Sequence, residues 1–206
     1  MARDGAAGPR RSRLTLEPEP TVWSFPALKV ETAAGEQDLS ARWRERTLVV
    51  VFMRHFGCAF CREHLARLSR AHREIGAAGA DVVAIFQYGA GATRSFCESR
   101  RVPFDCVGDP LRAAYDEVSL GRADRGQLLG WKVAKRLVPA LRQGRGMGGA
   151  QGGDVAQLPG TFVVGSDGRV AMAHYSESSA DNPSVADVLR AVRRTQATAG
   201  SASPGR

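Results

Sequence analysis

The sequence predicts one α/β domain: a mixed sheet with helices on both faces and a β-hairpin near the C-terminus. Three observations predict it. The apolar runs "TLVVVF" and "DVVAIF" lack alternation, the pattern of strands buried on both faces as in a parallel sheet. Amphipathic helical segments separate the strands, which implies parallel neighbours joined by right-handed crossovers. Asp167-Gly168 then sits between two alternating segments, a hairpin signal that adds an antiparallel edge.

The elements follow in order. Residues 1–20, rich in Arg, Gly, Pro and Glu, read as a disordered basic arm. The domain spans 21–196 and opens with short extended pieces around a turn at Ala34-Gly35. A strong strand runs from Thr47 to Arg54 and ends at Gly57. A helix over Cys61–Ile75 carries Leu65, Leu68, His72 and Ile75 on one face and is closed by Gly76 and Gly79. His64 on that helix is expected to face mostly solvent. Residues 81–86 form a second buried strand, 92–101 a helix, and "PFDCVGDP" a strand running into a turn. A further helix has Pro110 near its first turn. Residues 121–153 are a basic, glycine-rich insertion, partly helical and broken near Pro139. The hairpin strands precede an amphipathic helix starting at Asn182 or Ser184, and 197–206 are a disordered tail. The insertion contains "GRGMGG", which matches a dinucleotide fingerprint in letters. It follows no strand and opens no helix, so it reads as a flexible loop.

Composition bounds the function. With 206 residues, 43% of them hydrophobic, the chain can bury a core without cysteine staples, and its four cysteines are no disulfide scaffold. No secretory signal and no stretch of about 18 apolar residues is visible, so no membrane partner is expected and the expected location is cytoplasmic. The formal charge is +8, concentrated in the arm and in 121–145. Aromatic residues do not interleave with these charges, so nucleic acid is not an expected partner. A solvated basic face is the first reading, and an acidic partner or anionic substrate the second.

The chemistry centres on Cys58-Ala59-Phe60-Cys61, at a strand-to-helix junction. Unpaired N–H groups and the positive end of the dipole stabilise a thiolate there. Only the thiolate is a nucleophile, and such sites lower its pKa from about 8.5 to roughly 3.5–7.5. Arg54, His55 and Arg62 push the same way. Cys61 lies on the same helical face, so Cys58 is the expected attacker and Cys61 the resolver. A zinc half-site is the weaker reading, because zinc needs a second ligand pair and Cys97 and Cys106 are poorly spaced. Two inert core cysteines are another. Cys97 and Cys106 themselves read as packing residues, with a third resolving cysteine as the sharper option. No nicotinamide, flavin or metal motif is visible, so no cofactor is expected. Pro159, just before a core strand, could dock an extended substrate if its peptide bond were cis.

These residues resemble the thioredoxin-fold AhpC/TSA (peroxiredoxin-like) family, in its CxxC-bearing branch that includes the prostamide/prostaglandin F synthases. The matching pieces are "VVVFMRHFGCAFCREHLARL", "VPFDCVGDPLRAAYDEVSL" and "GDVAQLPGTFVVGSDGRVAMAH", spanning roughly 22–194. The resemblance implies a thioredoxin-like sheet, catalytic Cys58 and Cys61, and a substrate site formed by Arg54, His55, Leu158 and Pro159. It departs at His55, where typical peroxiredoxins carry threonine. The implied activity is peroxide reduction (hydrogen peroxide, or an organic peroxide or endoperoxide) through a Cys58–Cys61 dithiol/disulfide cycle fed by a dithiol reductant such as thioredoxin. The alternatives are exchange with protein or small-molecule disulfides, and a non-catalytic binding module that uses segment 121–145.

Overall fold

The computed structural model describes residues 23–123 and 153–201. The expected arm at 1–20, the "GRGMGG" loop and nearly all of the basic segment 121–145 lie outside the described residues. The described elements are β1 (Lys29–Thr32), β2 (Gly35–Asp38), α1 (Ser40–Glu45), β3 (Thr47–Phe52), α2 (Ala59–Ala77), β4 (Ala80–Phe86), α3 (Ala90–Ser99), β5 (Asp105–Gly108), α4 (Ala113–Glu117), β6 (Gly160–Val164), β7 (Val170–Tyr175) and α5 (Val185–Ser201).

They form a seven-stranded sheet in the order β2-β1-β5-β4-β3-β6-β7. β3, β4 and β5 are parallel, and hairpins flank them antiparallel on both sides. All six residues of β3 are buried, which is why its sequence shows no alternation. Val49 and Val51 face the core shared with α2, α3 and α5. Leu48, Val50 and Phe52 face a second core with Phe25, Trp43 of α1, and Tyr115 of α4. The expected α/β class and thioredoxin-like mixed sheet are the observed ones.

Several boundaries differ from the sequence reading. The β1–β2 turn is at Ala33-Ala34, with Gly35 opening β2 at φ +105°, a value that favours glycine. α1 is an addition: it is too short to show a period, and Asp38 holds its start by accepting the Ser40 N–H at 2.7 Å. α4 starts after Arg112, not at Pro110, because the buried Asp109 carboxylate accepts the N–H groups of Ala113, Ala114 and Tyr115. α5 continues through Ser201, into the segment expected as tail. Ser184 and Asp187 cap its start reciprocally.

The carboxyl ends of the parallel strands are held by one side chain. The fully buried Tyr115 hydroxyl donates toward the carbonyls of Met53 (2.6 Å) and Ile85 (2.9 Å), just past β3 and near the end of β4. Tyr115→Phe leaves the Met53 carbonyl without that donor in a dry environment. It should cost about 1–3 kcal/mol of unfolding free energy, read from urea denaturation with an unchanged m-value. An unchanged midpoint would mean that the bond contributes nothing.

Candidate active site

β3 ends at Phe52, and the chain turns through Met53–Gly57 to reach Cys58. The Cys58 N–H donates to the His55 carbonyl at 3.0 Å and closes the turn. Cys58 is the N-cap of α2: its backbone is extended (φ −69°, ψ 111°), and its Sγ accepts the Cys61 N–H at 3.4 Å. The sulfur thus takes the place of the side-chain oxygen usual at this position. Both cysteines are free thiols, 4% and 2% exposed.

Arg54, also buried, supplies the opposing charge. Its Nη1 lies 3.6 Å from Cys58 Sγ, its Nε donates to the Gln157 carbonyl at 2.8 Å, and its Nη2 to the Val155 carbonyl. The Cys58 pKa is lowered from 9.0 to about 6, first by the hydrogen bond from the Cys61 thiol, then by the Arg54 charge and the Cys61 N–H, against the opposing effect of burial. The Cys61 thiol moves the other way, pushed well up by burial and by the hydrogen bond and charge of Cys58. One sulfur is a thiolate at neutral pH and the other holds the proton. That asymmetry is what an attacking thiolate and a resolving thiol require.

Two expectations about charge change. His55 does not help: burial, then Arg54 and Arg62, push it down to about 4, so it is neutral beside the thiolate. His64 is buried rather than solvent-facing, with Nε2 3.4 Å from the Thr161 hydroxyl and a pKa lowered to about 3 by burial. His72 is the half-buried one, at the edge of the stripe and 5.8 Å from the Phe104 ring. Among the described residues no three His, Cys, Asp or Glu side chains cluster as a metal cage requires.

Leu158 and Pro159 reach the site through the sheet. Gly160 at the start of β6 pairs with Phe52 at the end of β3, which sets Pro159 beside the turn leading to Cys58. The Leu158–Pro159 bond is trans, not the cis form considered from the sequence, since no cis peptide occurs among the described residues. Trans is the resting preference of X–Pro bonds, and the segment is already fixed by the Leu158 N–H to the Gly121 carbonyl (3.0 Å) and the Ser176 N–H to the Pro159 carbonyl (3.3 Å). The backbone edge beside the cysteines comes instead from the carbonyls of Val155 and Gln157, both occupied by Arg54.

Several residues escaped the sequence reading. Tyr88, after β4, accepts backbone N–H groups from Phe56 and Gly153, and its ring stacks on Phe56 at 3.8 Å. Phe56 in turn stacks on Phe96 at 4.2 Å, and Arg100 lies 3.8 Å above the Phe96 ring. Gly153 is required where it is, because a Cβ there would stand 2.3 Å from the Tyr88 hydroxyl. Gln87 holds the Asp154 backbone at both N–H and C=O, while the Asp154 carboxylate pairs with Arg112 and Arg122. None of these lies in a recognisable motif; a glycine pair before an aspartate was the only trace. Cys97 and Cys106, read as packing residues, form a disulfide. The last turn of α3 lies over β5 and brings their Cα atoms to 6.6 Å, which a separation of nine residues does not reveal.

With this geometry in view, comparison with known proteins is informative. The model of the AhpC/TSA antioxidant enzyme family matches residues 67–178, more than half of the chain, starting just after Cys61. The chain belongs to this family. Prostamide/prostaglandin F synthase of Danio rerio is 26% identical over 165 residues, covering 78% of this chain and 82% of that one. Peroxiredoxin-like 2C of Homo sapiens is 26% identical over 183 residues, covering 84% and 81%. Among solved structures, peroxiredoxin 6 of Arenicola marina superposes with a TM-score of 0.63 at 13% identity, over 86% of this chain and 73% of that one. Reduced Prx3 of Vibrio vulnificus gives 0.62 at 11% identity, over 83% and 96%. At such identities the structures speak for the peroxiredoxin-type fold alone.

The Cys58 charge has a direct readout. Alkylation of Cys58 by iodoacetamide, followed by peptide mass spectrometry, should rise through a midpoint near pH 6. In Arg54→Met the midpoint should move upward toward that of a free thiol, and the rate at neutral pH should fall on the order of tenfold. A midpoint unchanged by the substitution would remove Arg54 from the argument.

Proposed function

We propose that this protein is a thiol-dependent oxidoreductase that reduces peroxides, with Cys58 as nucleophile and Cys61 as resolver. One observation carries the reading: a buried N-capping sulfur held between the Cys61 N–H and the Arg54 guanidinium. The Cys58 thiolate attacks the terminal peroxide oxygen, an S–O bond forms and the O–O bond breaks. The departing oxygen takes a proton and leaves as an alcohol, or as water when the substrate is hydrogen peroxide. Arg54 and the helix N-terminus stabilise the charge that develops. Cys61 then attacks the sulfenic sulfur, its proton leaving with the hydroxyl as water, and the Cys58–Cys61 disulfide results. A dithiol such as thioredoxin restores both thiols by exchange and is itself oxidised.

Family membership supports this reading, and so do the names of the relatives, one a prostaglandin-related synthase and one peroxiredoxin-like. A neutral His55 where typical peroxiredoxins carry threonine favours a second reading, in which the same thiolate attacks a disulfide sulfur. Either cycle suits the cytoplasm, where dithiol reductants are maintained.

Stopped-flow oxidation of the reduced protein distinguishes the readings. Hydrogen peroxide or an organic hydroperoxide should oxidise Cys58 rapidly, and Cys58→Ser should lose the reaction. Cys61→Ser should stop after one turnover as a sulfenic acid that dimedone captures. Oxidation by disulfides alone would replace the peroxidase reading with the second. A Cys58→Ser protein that lost these reactions yet kept full biological activity would remove both redox readings and leave the binding module.

A further inference from the structure

We propose that Cys97–Cys106 is a second thiol–disulfide centre, opened by an external dithiol and coupled to the packing over Cys58. The bond joins the last turn of α3 to β5. Cys97 is buried, but Cys106 is partly exposed, and both line an open cleft of about 530 Å³. Arg42, Arg94, Glu98 and Asp105 border the same cleft, two cations and two anions. The Arg42–Asp105 ion pair closes one side. Mixed charge of this kind favours no particular sign of ligand and admits a dithiol of either charge or none. The fold does not require the bond as a staple, since two apolar cores run the length of the sheet.

The exchange is a two-electron step. A thiolate of the incoming dithiol attacks Cys106 Sγ, the more accessible sulfur. An S–S bond forms to the reductant, the Cys97–Cys106 bond breaks, and the Cys97 sulfur leaves and takes a proton. The second thiol of the reductant then attacks its own mixed disulfide, which releases Cys106 and leaves the reductant as a disulfide. A small-molecule disulfide reverses the sequence.

The effect on the active site runs through the adjacent residue. Phe96, beside Cys97, is one of the two inner layers of the stack Tyr88–Phe56–Phe96–Arg100, and the other, Phe56, is two residues from Cys58. With the bond closed, the C-terminal turn of α3 is tied to the sheet and Phe96 is held against Phe56. With it open, that turn relies on hydrogen bonds from Arg100, Arg101 and Val102 to carbonyls of α3. The stack then loses its covalent anchor and keeps the contacts of Phe56 and Phe96 with Phe86.

The test uses the full chain as Cys58→Ser/Cys61→Ser, so that only this pair can titrate and the result does not depend on the proposed peroxidase cycle. The protein is held in native buffer over a series of reduced-to-oxidised dithiothreitol ratios. It is then acid-quenched, alkylated and weighed by intact mass spectrometry, and hydrogen exchange is compared at the two extremes. Expected is one reversible two-electron transition with the near-ultraviolet circular dichroism of a folded protein retained. Exchange should accelerate on the order of tenfold in 96–106 and also in 55–58. A bond that yields to dithiothreitol only in denaturant, or that never forms at the oxidising end, overturns the proposal. Reduction that leaves 55–58 unchanged overturns the coupling.

Discussion

The contact on which the site depends is the buried Arg54 guanidinium between a thiolate and two backbone carbonyls. A cation this deep persists only if its donors are matched. Here the Cys58 sulfur and the Val155 and Gln157 carbonyls match them. These partners come from two separate parts of the chain: the head of α2 and the approach to β6. The side chain that tunes the nucleophile is therefore also the bolt that joins the strand-β3 turn to the loop before Pro159. Tyr115 beneath and Tyr88 beside the turn hold the same few residues by backbone hydrogen bonds. The 53–58 turn is consequently fixed from three directions before any substrate arrives, which is the preorganisation that electrostatic catalysis needs.

Much of this was legible in the sequence because it is local. The uniform burial of Thr47–Phe52 follows from its unbroken apolar run, and the head of α2 from Gly57 and the CxxC spacing. The Asp167-Gly168 turn is present, with Gly168 at φ +79°. What could not be read are pairings between distant residues. Gln87 holding Asp154, Arg54 reaching Gln157, and Cys97 meeting Cys106 depend on which strands become neighbours, and nothing in either partner's immediate sequence marks the other. His55 illustrates a further limit. Its position beside the motif suggested a cation, but the proton is decided by burial and by two nearby arginines. His64 failed differently: its helix buries both the 61/65/68/75 stripe and the next position around the barrel of the helix, where the ring meets the Thr161 hydroxyl of β6.

The thiolate is both stabilised and enclosed. Burial alone would raise its pKa, but the Cys61 thiol, the Arg54 charge and the Cys61 N–H together outweigh that desolvation and lower it. The aromatic stack of Phe56, Phe96 and Tyr88 covers the turn that leads to those donors, and among the described residues a cleft between α2 and α3 lined by Gly57, Phe96 and Arg100 opens beside that turn. Strong electrostatics and restricted access are in this arrangement two results of the same packing.

In the proposed dithiol/disulfide cycle, the capping role of Cys58 also sets a direction for electron flow. In the dithiol state the sulfur accepts the Cys61 N–H and faces Arg54; in the disulfide state it carries no charge, and the buried guanidinium loses its anionic partner. The fold is thus better suited to the reduced pair. Every increment of about 1.4 kcal/mol by which it prefers that pair raises the two-electron potential by about 30 mV. A helix whose cap is a thiolate makes an avid electron acceptor of its own oxidised form, so that even a mild dithiol can reset it.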